Sequence, residues 1–220
     1  METARIAELL APFTAAEKLA PRLLEALQRY LDLLLRWNAR VNLTAVRDPE
    51  RIVARHFGES LFAARVLLRG GHEGAARAST LVDVGSGAGF PGIPMKLFAP
   101  QLALTLIESH NKKAVFLREV LRGLGLERAE VFGGRAEQWA KTADLVTLRA
   151  VERFERALPV AANLAAEDGR LGLLIGVGQV STAQYVLGKQ WRWREPAAVP
   201  LSETRVVLLG ERFGSKIRSV

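Results

Sequence analysis

The chain contains no cysteine. Disulfides, thiolate metal sites and cysteine nucleophiles are therefore excluded. So is any RNA modification that attacks a pyrimidine ring carbon through a thiolate. Histidine is almost as scarce, with three in 220 residues. His56, His72 and His110 share no spacing that resembles a metal site, so no bound metal is expected. Long apolar runs are missing too: no stretch approaches the roughly 18 residues a membrane span needs. The N-terminal METARIAELLAPF mixes charges among its apolar residues and lacks a cleavage-site pattern, unlike a signal peptide. A soluble, cytoplasmic protein with no membrane partner is expected. Acidic residues are outnumbered, 23 against 31 Lys and Arg, giving a net charge of +8. That balance fits a polyanionic partner such as nucleic acid, although a basic protein without one would carry it as well.

What is present is apolar residues in ordered patterns. Hydrophobic residues make up 49% of the chain, enough to bury one sizeable core. The first seventy residues read as helix. Ile6, Leu9, Leu10 and Phe13 recur at helical spacing, and Thr14 with Glu17 forms a possible capping box. Leu19, Leu23, Leu27, Tyr30, Leu31, Leu34 and Leu35 then form a long apolar stripe, with Asn38 as its expected terminator. Asp48 and Pro49 are a strong helix start, for a helix running to about Leu68. Residues 70–79 read as a connector. From Thr80 the texture changes. TLVDV (80–84), LALTLIE (102–108), AEVFGG (129–134), ADLVTL (143–148) and RLGLLIGV (170–177) read as strands. Helical stretches near Ile93–Phe98 and Lys112–Leu124 alternate with them, which predicts a parallel sheet covered on both faces. Trp191–Val199 and Thr204–Gly210 are expected to close it as an antiparallel pair.

Chemistry concentrates in Asp83-Val-Gly85-Ser-Gly87-Ala-Gly89-Phe-Pro-Gly92, which follows one predicted strand and opens a helix. Glycine lets the backbone turn sharply and approach a ligand. Twenty-three positions after Gly85, Glu108 ends the next strand, where a carboxylate can accept from both hydroxyls of a ribose. Gly87 to Gly92 formally satisfies the dinucleotide fingerprint G-x-G-x-x-G. Asp83-x-Gly85-x-Gly87-x-Gly89 instead fits the acidic-x-G-x-G-x-G loop of class I methyltransferases, in which the acid organises the amino acid end of S-adenosylmethionine. Pro91 and Pro94 lack the N–H groups that a pyrophosphate at a helix start requires. The sequence therefore favours S-adenosylmethionine over a nicotinamide cofactor.

DVGSGAGFPGIPMKLFAP resembles the first motif of the RsmG (GidB) family of 16S rRNA methyltransferases. The resemblance continues in order through Trp37-Asn38 with Asn42-Leu43-Thr44, Arg47-Asp48-Pro49, Arg55-His56, Glu59-Ser60, Glu108-Ser109, Lys112-Lys113, Phe116-Leu117, Gly134-Arg135-Ala136-Glu137 and Leu148-Arg149-Ala150-Val151. It spans roughly residues 20–155. It implies an α/β fold: a class I S-adenosylmethionine-dependent methyltransferase, Rossmann-like with a mostly parallel sheet. An N-terminal helical segment, 1–78, would precede a catalytic domain, 79–220. It further implies methylation of N7 of a guanosine in 16S rRNA of the small ribosomal subunit; a monomer is expected. Cofactor contacts carried over by position fall on Gly85, Phe90, Ala136, Glu137 and Arg149; the loop pattern itself adds Asp83, Gly87 and Gly89. Glu108 would hold the ribose, and Ala136 and Glu137 would flank the adenine. Arg149, just beyond the fourth strand, would reach the cofactor or the incoming base as the catalytic residue. The fifth strand of the family usually ends in a lysine–glycine pair; here it reads Leu174-Ile175-Gly176-Val177, without the lysine.

The target fits the rest of the chain. Guanine N7 has a lone pair and no proton to lose, so its methylation needs positioning rather than a general base. The Asn/Asp-Pro-Pro-aromatic motif of many amine methyltransferases is absent after the fourth strand, where Thr147-Leu148-Arg149-Ala150 stands. Arg47, Arg51 and Arg55, at four-residue spacing, read either as phosphate contacts or as a solvated face. Lys112, with Lys113, reads as an RNA contact or as a complement to local carboxylates. His56 reads as a residue of the active-site mouth in contact with RNA, or as a capping or packing residue. His72 reads as solvated, and His110 as exposed or flanking the cofactor cleft. Trp191 and Trp193 suit sheet packing better than base stacking. Three other functions share much of this pattern: a methyltransferase for a small molecule or protein, an RNA-binding ribosome assembly factor with a vestigial pocket, and a nicotinamide oxidoreductase.

Overall fold

The structure is a computed structural model that describes residues 1–69, 78–149 and 154–213. Helices α1 (Thr3–Leu10) and α2 (Pro21–Val41) come first. Pro21 sits in the first turn of α2, where its missing N–H leaves no bond unmade. The helix runs past Asn38 and stops at Asn42, which adopts left-handed φ 56° and ψ 54°. Asn38 is buried; its amide instead brackets Thr44, accepting from the Thr44 N–H at 2.9 Å and donating to its carbonyl at 3.0 Å. Nor do Thr14 and Glu17 form a capping box. Thr14 closes a short 3-10 turn and donates back to the carbonyls of Leu10 and Ala11.

Asp48 caps the next helix as expected, its Oδ1 accepting the Arg51 N–H at 2.8 Å. This helix is not uniform. It begins as α3 (Pro49–Ile52), loosens into a π-helical stretch over Val53–Gly58, and resumes as α4 (Glu59–Arg69). Gly58 fits where it does because a Cβ there would meet the Phe13 ring at 2.5 Å.

The strands are β1 (Thr80–Val84), β2 (Ala103–Ile107), β3 (Ala129–Phe132), β4 (Ala143–Arg149), β5 (Ala165–Gly176), β6 (Trp191–Trp193), β7 (Ala197–Ala198) and β8 (Arg205–Arg212). They form one sheet in the order β3-β2-β1-β4-β5-β8-β6, with β7 also on β8. Pairings among β1 to β5 are parallel; β8 runs antiparallel to β5, and β6 and β7 antiparallel to β8. Strand order reverses between β1 and β4, where open α/β sheets leave a ligand crevice at the strands' carboxyl ends.

Alternation along each strand feeds two cores. Leu81, Leu104, Leu106 and Leu145 face one side, together with α5 (Gly92–Phe98), α6 (Asn111–Gly123) and the N-terminal helices. Val82, Val84, Val146 and Leu148 face the other, with α7 (Phe154–Asn163) and α8 (Val180–Leu187). Ile6, Leu27 and Leu31 share one cluster with Leu81 and Leu104, so the helical layer and the sheet have a common core. The expected division at residue 78 adjoins residues 70–77, which lie outside the described residues, as does His72. Trp191 is buried and stacks on Trp193 at 6.2 Å, in the sheet-packing role. Among the described residues no helix is long and apolar enough to cross a membrane.

Candidate active site

Beyond Val84 the chain turns through Gly85, Gly87 and Gly89 at φ 67°, 57° and 91°, a region closed to most side chains. Gly85 is exposed. A Cβ at Gly89 would stand 2.5 Å from Ile93 Cδ1 and 2.6 Å from the Tyr30 hydroxyl. The loop is stitched to its surroundings. Ser86 N–H donates to the Ile107 carbonyl at 3.0 Å, and Gly87 N–H to Glu108 Oε2 at 2.8 Å. The other Glu108 oxygen accepts the His110 N–H at 2.7 Å. Glu108 thus stands fixed at the end of β2, directly against the loop.

Asp83 works from beneath. Its carboxylate is wholly buried, accepting from Thr147 Oγ1 at 2.8 Å and from Gly92 N–H at 3.3 Å. Burial pushes its pKa up to about 6, against the pull of these two donors. It therefore braces the loop rather than meeting a ligand directly. Gly92 is needed for this: a Cβ there would lie 3.0 Å from the Asp83 side chain.

The start of α5 cannot hold a pyrophosphate. Pro91 and Pro94 carry no N–H. Gly92 N–H is spent on Asp83, Ile93 N–H on the Gly89 carbonyl and Met95 N–H on the Pro91 carbonyl. What remains suits a ligand that approaches the glycine backbone closely and meets the Glu108 carboxylate. An adenosyl cofactor with a ribose diol fits these residues; a dinucleotide does not.

The opposite wall comes from the N-terminal helices. The Phe90 ring is buried, stacks on Tyr30 (5.5 Å) and His56 (4.9 Å), and packs tilted against Phe57 (5.6 Å). The Phe90–Pro91 peptide is cis. Arg149 is the last residue of β4, not a residue beyond it, and its guanidinium turns onto the helical layer. Nη2 donates to the Arg55 carbonyl at 3.0 Å and to Glu59 Oε2 at 3.0 Å, and lies 3.2 Å from His56 Nδ1. The Arg55 carbonyl that accepts this bond lies within the π-helical stretch. Glu59, 3% exposed, also pairs with Arg205 at 2.7 Å. Burial raises its pKa, and the flanking arginines oppose that rise. Gly176, at the end of the fifth strand that lacks the lysine, is the register partner of Arg205, whose guanidinium meets Glu59.

His56 is a packed network member. Because Arg149 can only donate, Nδ1 must accept, which leaves Nε2–H to donate to Thr44 Oγ1 at 2.8 Å. Burial, with Arg149, Arg55 and Arg205 adding to it, lowers its pKa to about 3. A depressed folded-state pKa gives stability that is present above the usual value near 6.5 and lost as pH falls toward about 3. Asp83, raised to about 6, acts in the opposite sense, losing stability as pH rises through that value. An NMR titration of the His56 ring is expected to show a neutral imidazole from pH ~7 to ~4. A midpoint near that of free histidine would mean the network does not form.

The remaining expected residues are spread around the mouth. Ala136 is buried and Glu137 exposed, in a 3-10 turn (Ala136–Gln138) after β3. Arg47, Arg51 and Arg55 are exposed; Arg47 donates to Asn42 Oδ1 at 3.1 Å. Lys112 is exposed in the first turn of α6, and the His110 side chain is exposed just before it. Ala150 and Val151 lie outside the described residues, as do residues 214–220. Sequence reading missed the bracing roles of Tyr30, Thr44, Thr147, Glu59 and Arg205. Glu59 did carry a signal: seven residues after Ile52 and four before Ala63, it falls on a buried apolar stripe, where a charge needs a partner. Among the described residues no cluster of three or more potential metal ligands occurs.

Known proteins with related sequences and folds share this framework. The family model described as rRNA small subunit methyltransferase G (GidB) matches residues 23–187. Ribosomal RNA small subunit methyltransferase G of Xanthomonas campestris pv. campestris (strain B100) is 43% identical over 153 residues, covering 69% of this chain and 68% of that protein. Its counterpart in Roseiflexus sp. (strain RS-1) is 38% identical over 204 residues, covering 87% and 84%. Among solved structures, a magnesium protoporphyrin IX methyltransferase from Synechocystis PCC 6803 with bound SAM superposes with a TM-score of 0.62 at 14% identity, over 83% of this chain and 97% of that one. A SAM-dependent methyltransferase from Aquifex aeolicus gives 0.59 at 16% identity, over 78% and 97%. These structural likenesses establish the Rossmann-like class I methyltransferase fold. The sequence matches go further: the chain belongs to the rRNA small subunit methyltransferase G (GidB) family.

Proposed function

We propose that the protein transfers a methyl group from S-adenosylmethionine to N7 of a guanosine in 16S rRNA of the small ribosomal subunit, acting as a monomer. The observation that carries this reading is the glycine loop at the sheet's switch point, with Glu108 held against it at 2.8 Å and no free amide at the helix start for a pyrophosphate. When bound, the cofactor supplies an electrophilic methyl carbon on a sulfonium. The protein's part is to bind, orient and exclude water. Glu108 accepts from the ribose hydroxyls, since each of its oxygens has a second lone pair beyond its bond to the backbone. Gly85 and Gly87 give close backbone approach, Phe90 anchors the loop, and Ala136 and Glu137 flank the adenine. Arg149 presents a cation where the base enters. Arg47, Arg55 and Lys112 are the candidate phosphate contacts, and the helical segment 1–78 forms one wall of the cleft. His56, with both ring nitrogens engaged, is not a free base, which suits a target atom that has no proton to lose.

Thermal shift with S-adenosylmethionine and with NADH tests the cofactor; stabilisation by NADH alone would refute the reading. Methyl transfer to deproteinised 16S rRNA, intact small subunits and bulk protein tests the substrate, with mass spectrometry locating the methyl group. Glu108→Ala is expected to weaken cofactor binding by about 1–3 kcal/mol through lost charge-assisted hydrogen bonds. An unchanged dissociation constant in calorimetry would remove Glu108 from the site.

A further inference from the structure

Tyr30 lies in the middle of α2, far in sequence from the glycine loop, and is completely buried. Its ring stacks on Phe57 at 5.2 Å and on Phe90 at 5.5 Å. Its hydroxyl donates to the carbonyl of Ala88, 58 residues along the chain. A buried phenol needs a partner, and this one finds it in the loop itself. The loop is shaped to receive it, since the missing Cβ of Gly89 is what leaves room for the hydroxyl.

Ala88 sits between Gly87 and Gly89, both at positive φ. A peptide flanked by glycines can rotate at little steric cost, so local sequence does not fix which way this carbonyl points. Two bonds hold that peptide: the Tyr30 hydroxyl meets its carbonyl, and its Gly89 N–H closes the turn onto the Ser86 carbonyl at 2.7 Å. We propose that Tyr30 is a positioning residue for the methyl donor: its hydroxyl holds the loop in the donor-binding shape, which makes helix α2 part of the donor site. The inference rests on the S-adenosylmethionine reading above. Without the hydroxyl the loop samples other peptide orientations. Apparent affinity then falls in proportion to the binding-competent fraction.

The test uses the full chain and calorimetric titration with S-adenosylmethionine and S-adenosylhomocysteine. Tyr30→Phe keeps the stacked ring and removes only the bond. Donor binding is expected to weaken about tenfold, with the KM for donor raised and the KM for RNA and kcat nearly unchanged. Leu27→Ala is the control, because it loosens the core under the same helix at a residue given no part in the loop; it should lower Tm but leave donor affinity within about twofold. Equal donor affinity in Tyr30→Phe and wild type overturns the proposal and leaves the cofactor reading intact. Equal weakening by Leu27→Ala also overturns it, because the effect would then be general packing. Wild type that binds neither S-adenosylmethionine nor S-adenosylhomocysteine overturns the reading, and the proposal with it. Hydrogen exchange on the wild type gives a second measurement, independent of how the variants fold. Donor binding should slow exchange in the turn of α2 around Tyr30 as well as in residues 86–90, and protection confined to the loop would count against the proposal.

Discussion

Glu59→Ala is expected to destabilise the protein by about 3–5 kcal/mol, the range for removing one partner of a buried ion pair. Glu59 is 3% exposed and is the carboxylate that both Arg149 and Arg205 meet. Arg149 has a side chain only 11% exposed, and its Nη1 already lacks a partner among the described residues. Without Glu59 it must keep an uncompensated charge in a poorly solvated place or swing away from β4. The loss is therefore dominated by Arg149, since Arg205 is 35% exposed and water can serve it. Glu59→Gln should lose less, because one amide oxygen can still accept from a guanidinium. Urea unfolding of the three proteins measures this. An alanine variant with an unchanged midpoint would show that the pair adds nothing. The consequence reaches function, because this carboxylate ties α4 to the ends of β4 and β8 and so sets where the Arg149 charge points.

The second large effect is expected at Gly85. Gly85→Val should weaken donor binding by on the order of 100-fold or more, enough to abolish a donor-induced thermal shift at ordinary concentrations. Two causes add. A β-branched residue at φ 67° costs roughly 1–3 kcal/mol of backbone strain. Its side chain also projects from an exposed stretch of backbone that a donor must approach closely. Gly125→Val separates these causes. Gly125 has φ 61° and nothing within 4 Å of its missing Cβ, and it lies between α6 and β3, at the other end of the sheet. That variant should suffer the same strain and still bind donor. If both variants bind as wild type does, the loop is not the donor site.

The features legible in the sequence are those governed by local rules. The apolar stripe of α2, the cap at Asp48 and the strand runs obey periodicity and capping chemistry, which neighbouring residues settle. The glycine loop is legible because positive φ is a single-residue property. Glu108 is legible because a strand end at a fixed distance from the loop follows from the strand–helix–strand unit. Where two local choices were equal, sequence could not decide. Asn38 and Asn42 can both end a helix; Asn42 does, because Asn38 finds Thr44 to bracket.

Sequence by itself determined the alternation of elements, the turn at residues 85–92 and the carboxylate one strand away. Tertiary structure alone decided how these parts are held. The bonds joining Tyr30 to Ala88 and Arg149 to Glu59 span 58 and 90 residues. The π-helical stretch that carries the Arg55 carbonyl has no local sequence signature. Such contacts depend on where folding brings distant segments, because a buried polar group takes whichever partner packing puts within reach.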